Sequence, residues 1–469
     1  SALTKNEWDP AVATSNTTSD RIFHIYTDNA GTSNDDVVIE GVTLAYGKTF
    51  EEDLGVDPAD ADFHYYFRRA GGAIALGAAA NVVHINTTLE GAENANAGGL
   101  GGSTGGESGN TDYTLTLNGV VVEDSIAQGD GGGLYLAAPT TATNLVVRNN
   151  RSTTNGGGIY NEADTNISQA TFSGNIAEGG GGIFTTGSNI VKITRSTFTA
   201  NRAIGGGAIS NRKGVTIELE NSTLSGNIAR DVGAGLYTNG SVFLDFVTVA
   251  DNLSGADSPS SGSGINPFPA GSGAVMTLKN VLLSGNKKGL PYDPLDATTD
   301  PTSDTFALPD ATYIASLPPS NCGTTSGGSG ITVASLGHNI SGDVTCYSAT
   351  TVLWFGDTSD INNMDPKIGP LAANGGLTLT HALLSDSPAI GAGAASAGIT
   401  VDQRGVTRDT PPDIGAYELP ASTSTGGGGS SGGCVYDPNG SSDWTLLILL
   451  AAGIGGLLIR HRRKDATKQ

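Results

Sequence analysis

A polar residue returns along this chain at a nearly constant step. It is Ser125, then Asn150, Asn175, Asn201, Asn227, Asn252 and Asn286, at intervals of 25, 25, 26, 26, 25 and 34 residues. An apolar residue stands three positions before each, as in "FSGN" from Phe172, and a glycine cluster follows most of them, as in "GGGGIF" ending at Phe184. A period of this length marks a repeat architecture, in which each unit buries its apolar face only against its neighbours.

Between the clusters, "NIVKITRSTF" (189–198), "GVTIELENSTL" (214–224) and "SVFLDFVTV" (241–249) alternate in polarity and are rich in β-branched residues, which reads as strand. No helical stripe spans the repeats. Three short strands with their turns use up one period, so the expectation is an all-β fold: a right-handed parallel β-helix whose coils stack ~4.8 Å apart. The asparagines fall where a strand meets a turn. Asn150, Asn175, Asn201, Asn227 and Asn252 are therefore expected to form a vertical amide ladder. Ile159, Ile183, Ile209 and Leu236, just after the glycines, are expected to point inward and stack. Glycine makes up 69 of 469 residues, about twice the usual share, but it is phased with the repeat. That phasing points to sharp turns and close coil approach rather than low complexity.

The net charge is −22, and the tail after Gly433 holds five of the 24 Lys/Arg against three of the 46 Asp/Glu. The body is therefore strongly acidic, which excludes nucleic acid as a partner because phosphate binding needs cations. No cofactor is expected. Calcium is the one ion an acidic surface admits, although the GGxGxDxUx repeat that binds it is absent. Cys322 and Cys346 flank a Gly/Ser-rich loop and are expected either to bridge it or to stand as two thiols. A bridge would imply an oxidising compartment. The opening "SALTKNEW" lacks the basic and apolar regions of a secretion signal, as a processed chain would.

The paired "FxxN" and "GGxI" pieces, from Gly71 to Asn286, resemble polymorphic outer membrane protein repeats. That resemblance implies a surface-exposed, often adhesive β-helix. No translocator barrel follows, so transport by a barrel of its own is not expected. Farther on come "SLGHNISGDVTC" (335–346), "DPKIGPLAANGGLTLTHALLSDSPAIGAG" (365–393) and "VDQRGVTRDTPPDIGAYE" (401–418). This set resembles the choice-of-anchor Q domain of bacterial surface proteins, which implies a β-helix running into a C-terminal cap. Read as residues, Asp402, Arg404, Asp413 and Glu418 form a small charged cluster. In it Arg404 is expected to pair with Asp413 or Glu418 and to close the open end of the rod, while His381 is expected to be a packed residue.

A Gly/Ser linker follows, and 444–459 is an uncharged, mostly apolar run. At 1.5 Å per residue it spans roughly 24 Å, short of the ~30 Å hydrocarbon core. Trp444 suits the interface, and Arg460, Arg462 and Arg463 suit the cytoplasmic side of a transmembrane helix. Linker, Cys434, short span and basic end resemble the CTERM-type sorting tails of Gram-negative bacteria, most closely the JDVT-CTERM variety. The resemblance implies an intramembrane sorting protease as partner, cleavage near Cys434 and delivery to the cell surface. The expected organisation is an N-terminal cap region (1–65), the repeat β-helix (66–290), an insertion and C-terminal cap (291–420), the linker (421–433) and the sorting tail (434–469).

The functional expectation is a secreted, surface-anchored structural or adhesive protein that meets a surface glycan or cell ligand. Two alternatives are a polysaccharide lyase or hydrolase and a self-associating fibre subunit. Catalysis would need Asp231, Asp245 and Asp251 to converge with Arg195, Arg202 and Arg230 on one face. A fibre would use an N-terminal strand within "DRIFHIYT" (20–27) to cover a neighbouring copy instead of its own first coil.

Overall fold

The structure, a computed structural model, describes residues 114–127, 129–255, 262–268, 273–290, 308–323, 331–348 and 352–420, together with the short strands 23–26, 37–40, 43–45, 74–77 and 82–85. The chain divides into a unit spanning Ser1–Pro420 and a unit spanning Ala421–Gln469. The second unit lies outside the described residues, and with it the linker, Cys434, Trp444, Arg460, Arg462, Arg463 and the expected transmembrane helix. Among the described residues no helix is long and apolar enough to cross a membrane.

The described fold is an all-β parallel solenoid with three nine-stranded sheets. Each coil gives one strand to each face. In the coil that opens at Leu115, Leu115–Asn118 lies on the first face, Val121–Glu123 on the second and Leu134–Leu136 on the third. The next coil repeats this with Thr140–Thr143, Val146–Arg148 and Ile159–Asn161, paired in parallel and in register with the coil before. Six such complete coils run to Ile265–Pro267. Alternation then does the packing. Leu115 and Leu117 point in and are buried, while Thr116 and Asn118 point out. The inward Ile159, Ile183, Ile209 and Leu236 stack through consecutive register pairs in one continuous core.

Each run expected as strand is bent at a corner whose residue has positive φ. Between the first and second faces these corners are Gly119, Asn144, Gln169, Arg195, Asn221, Phe246, Asn280 and His338. After the second face they are Asp124, Asn149, Gly174, Ala200, Gly226, Asp251 and Gly285. A non-glycine residue there costs of order 1–2 kcal/mol, a strain that the parallel ladders on either side hold in place.

The glycine triplets do three different jobs, as Gly156–Gly158 shows. Gly156 turns the chain at φ +69°. A Cβ on Gly157 would lie 2.5 Å from the Ile176 carbonyl oxygen and 2.6 Å from that of Gly181, both in the next coil. One on Gly158 would meet the Gly182 oxygen at 2.6 Å and the Asn175 side chain at 3.3 Å. The coils approach too closely for any side chain to stand between them.

The stack extends past the six complete coils at both ends. At the N-terminal edge, Val37–Glu40 and Thr43–Ala45 pair in parallel with the coil that opens at Leu115, so the solenoid already includes part of the expected cap region. Phe23–Tyr26 pairs antiparallel with Val82–Ile85 of its own chain. In the expected insertion, Ala311–Ser316 is a short helix capped by Asp310, and Ile314 packs on Ile228, Leu253, Leu290 and Leu317. The chain then rejoins the stack, where Cys322 bridges Ile265 of the third face. At the far end Cys322 and Cys346 form a disulfide. Trp354 and Phe355, each 1% exposed, join these cysteines and Ile331 in the core.

Candidate functional site

Two arrangements concentrate polar chemistry. The first is the amide ladder. Asn150 Nδ2 donates to Asn175 Oδ1 at 3.0 Å, Asn175 to Asn201 at 2.9 Å, Asn201 to Asn227 at 2.9 Å, and Asn227 to Asn252 at 2.9 Å. Each Oδ1 also accepts the main-chain N–H of the preceding coil's asparagine, and the second Nδ2 hydrogen goes to a main-chain carbonyl, for Asn175 that of Val147 at 2.9 Å. Every donor and acceptor of these buried amides is used inside the stack. The ladder continues beyond the repeats through Asn286 to Asn321.

The second arrangement is residues 365–420, which double back along the outer side of the second face as a strap. The outward residues of that face record its path. Val121, Val146 and Thr171 are half-buried, whereas Thr197, Thr223, Thr248 and Leu282 are buried. Gln403, 1% exposed, pins the strap. Its Nε2 lies 2.8 Å from Thr197 Oγ1 and 2.9 Å from Thr378 Oγ1, and its Oε1 accepts from Thr223 Oγ1 at 2.7 Å. His381 bridges Ser225 Oγ, 2.8 Å from Nε2, and the Gly369 carbonyl, 2.7 Å from Nδ1. Leu383, Ala389, Ile414 and Tyr417 of the strap pack on Leu282 and Ile340.

The charged cluster lies on this flank, whereas the core beside the Cys322–Cys346 disulfide is filled by Trp354 and Phe355. Its pairing also differs from expectation. The Glu418 carboxylate takes Arg408, at 3.0 Å, while Arg404 takes Asp402 at 2.8 Å and the main-chain oxygen of Glu418. A tight turn from Asp402 to Gly405 folds Arg404 back over Asp402. Arg408, which the sequence reading missed, stacks its guanidinium 3.7 Å over the Phe246 ring and donates to Asn221 Oδ1 at 2.7 Å. Burial pushes the Asp413 and Glu418 carboxyls above their ordinary range, and main-chain N–H donors oppose the shift. Two buried guanidinium groups, each stacked on an aromatic ring, hold the knot together.

The carboxylates and arginines suggested for catalysis are dispersed. Arg195 and Asp245 lie at the corner between the first and second faces, where Arg195 Nε donates to the Gln403 carbonyl at 3.1 Å and Asp245 accepts from Asn280 at 2.9 Å. Asp251 occupies the next corner. Arg202 opens Arg202–Gly205, and Arg230 pairs with exposed Asp231 at 3.1 Å within Ile228–Val232, on a separate small ladder. They do not share one face. Among the described residues no group of three or more His, Cys, Asp or Glu is placed to hold a metal ion.

An outer aromatic stack also escaped the sequence reading. Tyr135, Tyr160 and Phe184 stack at 5.0 and 5.3 Å, and Arg212 covers the far ring at 5.0 Å. Glu162 accepts both tyrosine hydroxyls, at 3.0 and 3.2 Å, and burial raises its carboxyl. The signal was the aromatic residue after each inward aliphatic in "GGGLY", "GGGIY" and "GGGGIF". The rings are spent on one another and buried, which leaves no open ring face for a sugar.

No family model, curated protein or solved structure matches this chain.

Proposed function

We propose that this chain is a secreted, surface-anchored structural or adhesive rod. The observation that carries this reading is the parallel stack, in which, among the described residues, the phased asparagine amides bond to one another inside the core. A right-handed winding fits the strong preference of parallel crossovers for that hand. The buried Cys322–Cys346 disulfide supports an oxidising compartment. Attachment rests on the tail: Cys434, the short apolar run from Trp444 and the basic Arg460, Arg462 and Arg463 are read as a sorting signal cut by an intramembrane protease and delivering the rod to the exterior of a Gram-negative cell. The dispersed carboxylates disfavour the lyase or hydrolase reading. The pairing of Phe23–Tyr26 within its own chain disfavours a fibre built by strand exchange.

The test pairs two measurements. Protease shaving of intact cells should release 1–420 from cells making the full chain and not from cells making a chain with Arg460, Arg462 and Arg463 replaced by Asp. Purified 1–420 should bind a subset of a glycan array or whole cells without cleaving any polymer. Retention of the protein in the cytoplasm, or depolymerisation of a glycan by 1–420, would overturn the proposal.

A further inference from the structure

Beyond the buried stack of Tyr135, Tyr160 and Phe184, the outer side of the third face changes character. In-register pairing puts Ser210 and then Tyr237 where the row would have its next rings. Ser210 has no ring, and Arg212 reaches back to hold its guanidinium 5.0 Å from the Phe184 ring centre. Tyr237, on the following coil, is half-buried. Its ring meets that of Phe268 at 5.9 Å and a 47° tilt, and Phe268 is 46% exposed. Unlike the stacked rings before it, this pair keeps ring surface open to solvent. Pairing also aligns Asn211, Thr238 and Pro267. The residues that follow them, Arg212, Asn239 and Phe268, therefore occupy equivalent corner positions on three consecutive coils. Two coil steps set the corners of Arg212 and Phe268 about 10 Å apart along the rod, the length of two sugar rings.

Arg212 and Lys213 are both exposed. Other cations of the solenoid and strap are already engaged. Arg148, Lys192 and Lys367 each pair with a carboxylate, and Lys279 and Lys287 each donate to a main-chain carbonyl. Among the described residues, neither Arg212 nor Lys213 has a carboxylate or a hydrogen-bond acceptor for its side chain. Two adjacent cations thus stand without an anion in a chain of net charge −22. Burial raises the Tyr237 hydroxyl above its ordinary value and the Arg212 charge opposes the shift, so the same guanidinium acts on both aromatic neighbours.

We propose that Arg212, Lys213, Tyr237 and Phe268 form a binding subsite for an acidic polysaccharide, with a sugar carboxylate on the two cations and the C–H face of a neighbouring sugar on the exposed rings. A guanidinium presents paired N–H donors that match a carboxylate. Its contact with Phe184 orients it before any ligand arrives, which lowers the cost of ordering the side chain. The negative face of an aromatic ring attracts the C–H groups of a sugar. The acidic body sets the charge density of the polymer. It repels a chain charged at every unit, so the fitting ligand carries its carboxylates sparsely, with neutral sugars between them. This inference rests on the adhesive reading of the rod and names the class of glycan it would meet.

The test measures binding of the full chain to hyaluronan and gellan, which carry a carboxylate on every second and every fourth sugar, to their methyl esters, to densely charged heparin and to neutral dextran. Wild type should bind hyaluronan or gellan in preference to its ester, to heparin and to dextran. Arg212→Gln should weaken that binding about tenfold, and Phe268→Ala about three- to tenfold. Arg148→Gln removes an exposed arginine already paired with Glu123 and should leave binding unchanged. Arg212→Gln breaks no hydrogen bond and should melt close to wild type, which separates lost binding from lost folding. Binding that survives Arg212→Gln or Phe268→Ala, equal binding of polymer and ester, or tighter binding of heparin would overturn the subsite and leave an adhesive rod standing. So would binding of other glycans or of cells without binding of hyaluronan or gellan. Absence of binding to any glycan or cell would overturn the adhesive reading and the subsite with it.

Discussion

Asn321 donates its main-chain N–H to the carboxylate of Asp343 across 3.1 Å, and this bond terminates the amide ladder. From Asn150 onward every ladder main-chain N–H and one Nδ2–H of each asparagine point toward the next coil, while the other Nδ2–H returns to a carbonyl of the coil before, so the main-chain amide dipoles add head to tail and their donor end meets the Asp343 carboxylate. The arrangement parallels an acidic residue at a helix N-terminus. Asp343 Oδ1 also accepts the Thr345 N–H and hydroxyl, at 2.8 and 2.6 Å. Asp343→Ala leaves buried donors without partners and should cost about 2 kcal/mol, with Asp343→Asn losing less. A urea midpoint lowered at unchanged slope is the expected readout; an unshifted midpoint contradicts the role.

Within the ladder, Asn175→Asp replaces the Nδ2 donor with an oxygen facing Asn201 Oδ1, which lies 2.9 Å away, and the Val147 carbonyl. A buried charge then sits among acceptors. The melting temperature at neutral pH should fall more for Asn175→Asp than for Asn175→Ala, which loses the bonds without adding charge. Equal melting of Asn175→Asp and wild type would show that the bonds do not support the stack.

Two glycines separate close approach from backbone conformation. Gly157→Ala forces a Cβ to within 2.6 Å of main-chain atoms in the next coil, whereas Gly226→Ala meets only Thr199 Oγ1, at 3.8 Å. The Gly226 corner has positive φ, but Ala200 already adopts that conformation one coil earlier. Gly226→Ala should therefore cost about 1 kcal/mol, and Gly157→Ala should unfold its coil or strongly lower the yield of soluble protein. Calorimetry on both variants checks the order.

The strap knot should fail when one partner of its buried ion pair is removed. Arg408 and Glu418 side chains are 3% and 0% exposed. Glu418→Gln leaves the guanidinium without its anion and should cost about 3–5 kcal/mol. Limited proteolysis should then cut within 365–420 while the solenoid survives. An uncut strap would mean that Gln403 and the apolar contacts suffice.

Reducing the disulfide should loosen the far end. A bridge closing a loop of 24 residues contributes about 3 kcal/mol in the chain-entropy model. The Cys322→Ser/Cys346→Ser protein should melt below wild type, and added reductant should lower the melting point of wild type alone.

The repeat period determined the parallel stack because a coil has only one way to meet its copy: equivalent residues lie over one another. Position in the period alone therefore placed Asn175 over Asn150 and Ile183 over Ile159. The same argument covers Gly157, whose spacing from Gly181 leaves no room for a Cβ. It could not reach residues that occur once. Arg408 found Asn221 and Phe246, and Gln403 found Thr197 and Thr223, only because residues 365–420 fold back along the second face. That path depends on where side chains without a period find partners some 180 residues away, which no local pattern encodes. Tertiary structure likewise decided that Trp354 and Phe355 fill the core beside the disulfide, while the charged cluster holds the flank. Burial is a property of what surrounds a residue, and at the close of a repeat those surroundings are no longer copies of itself.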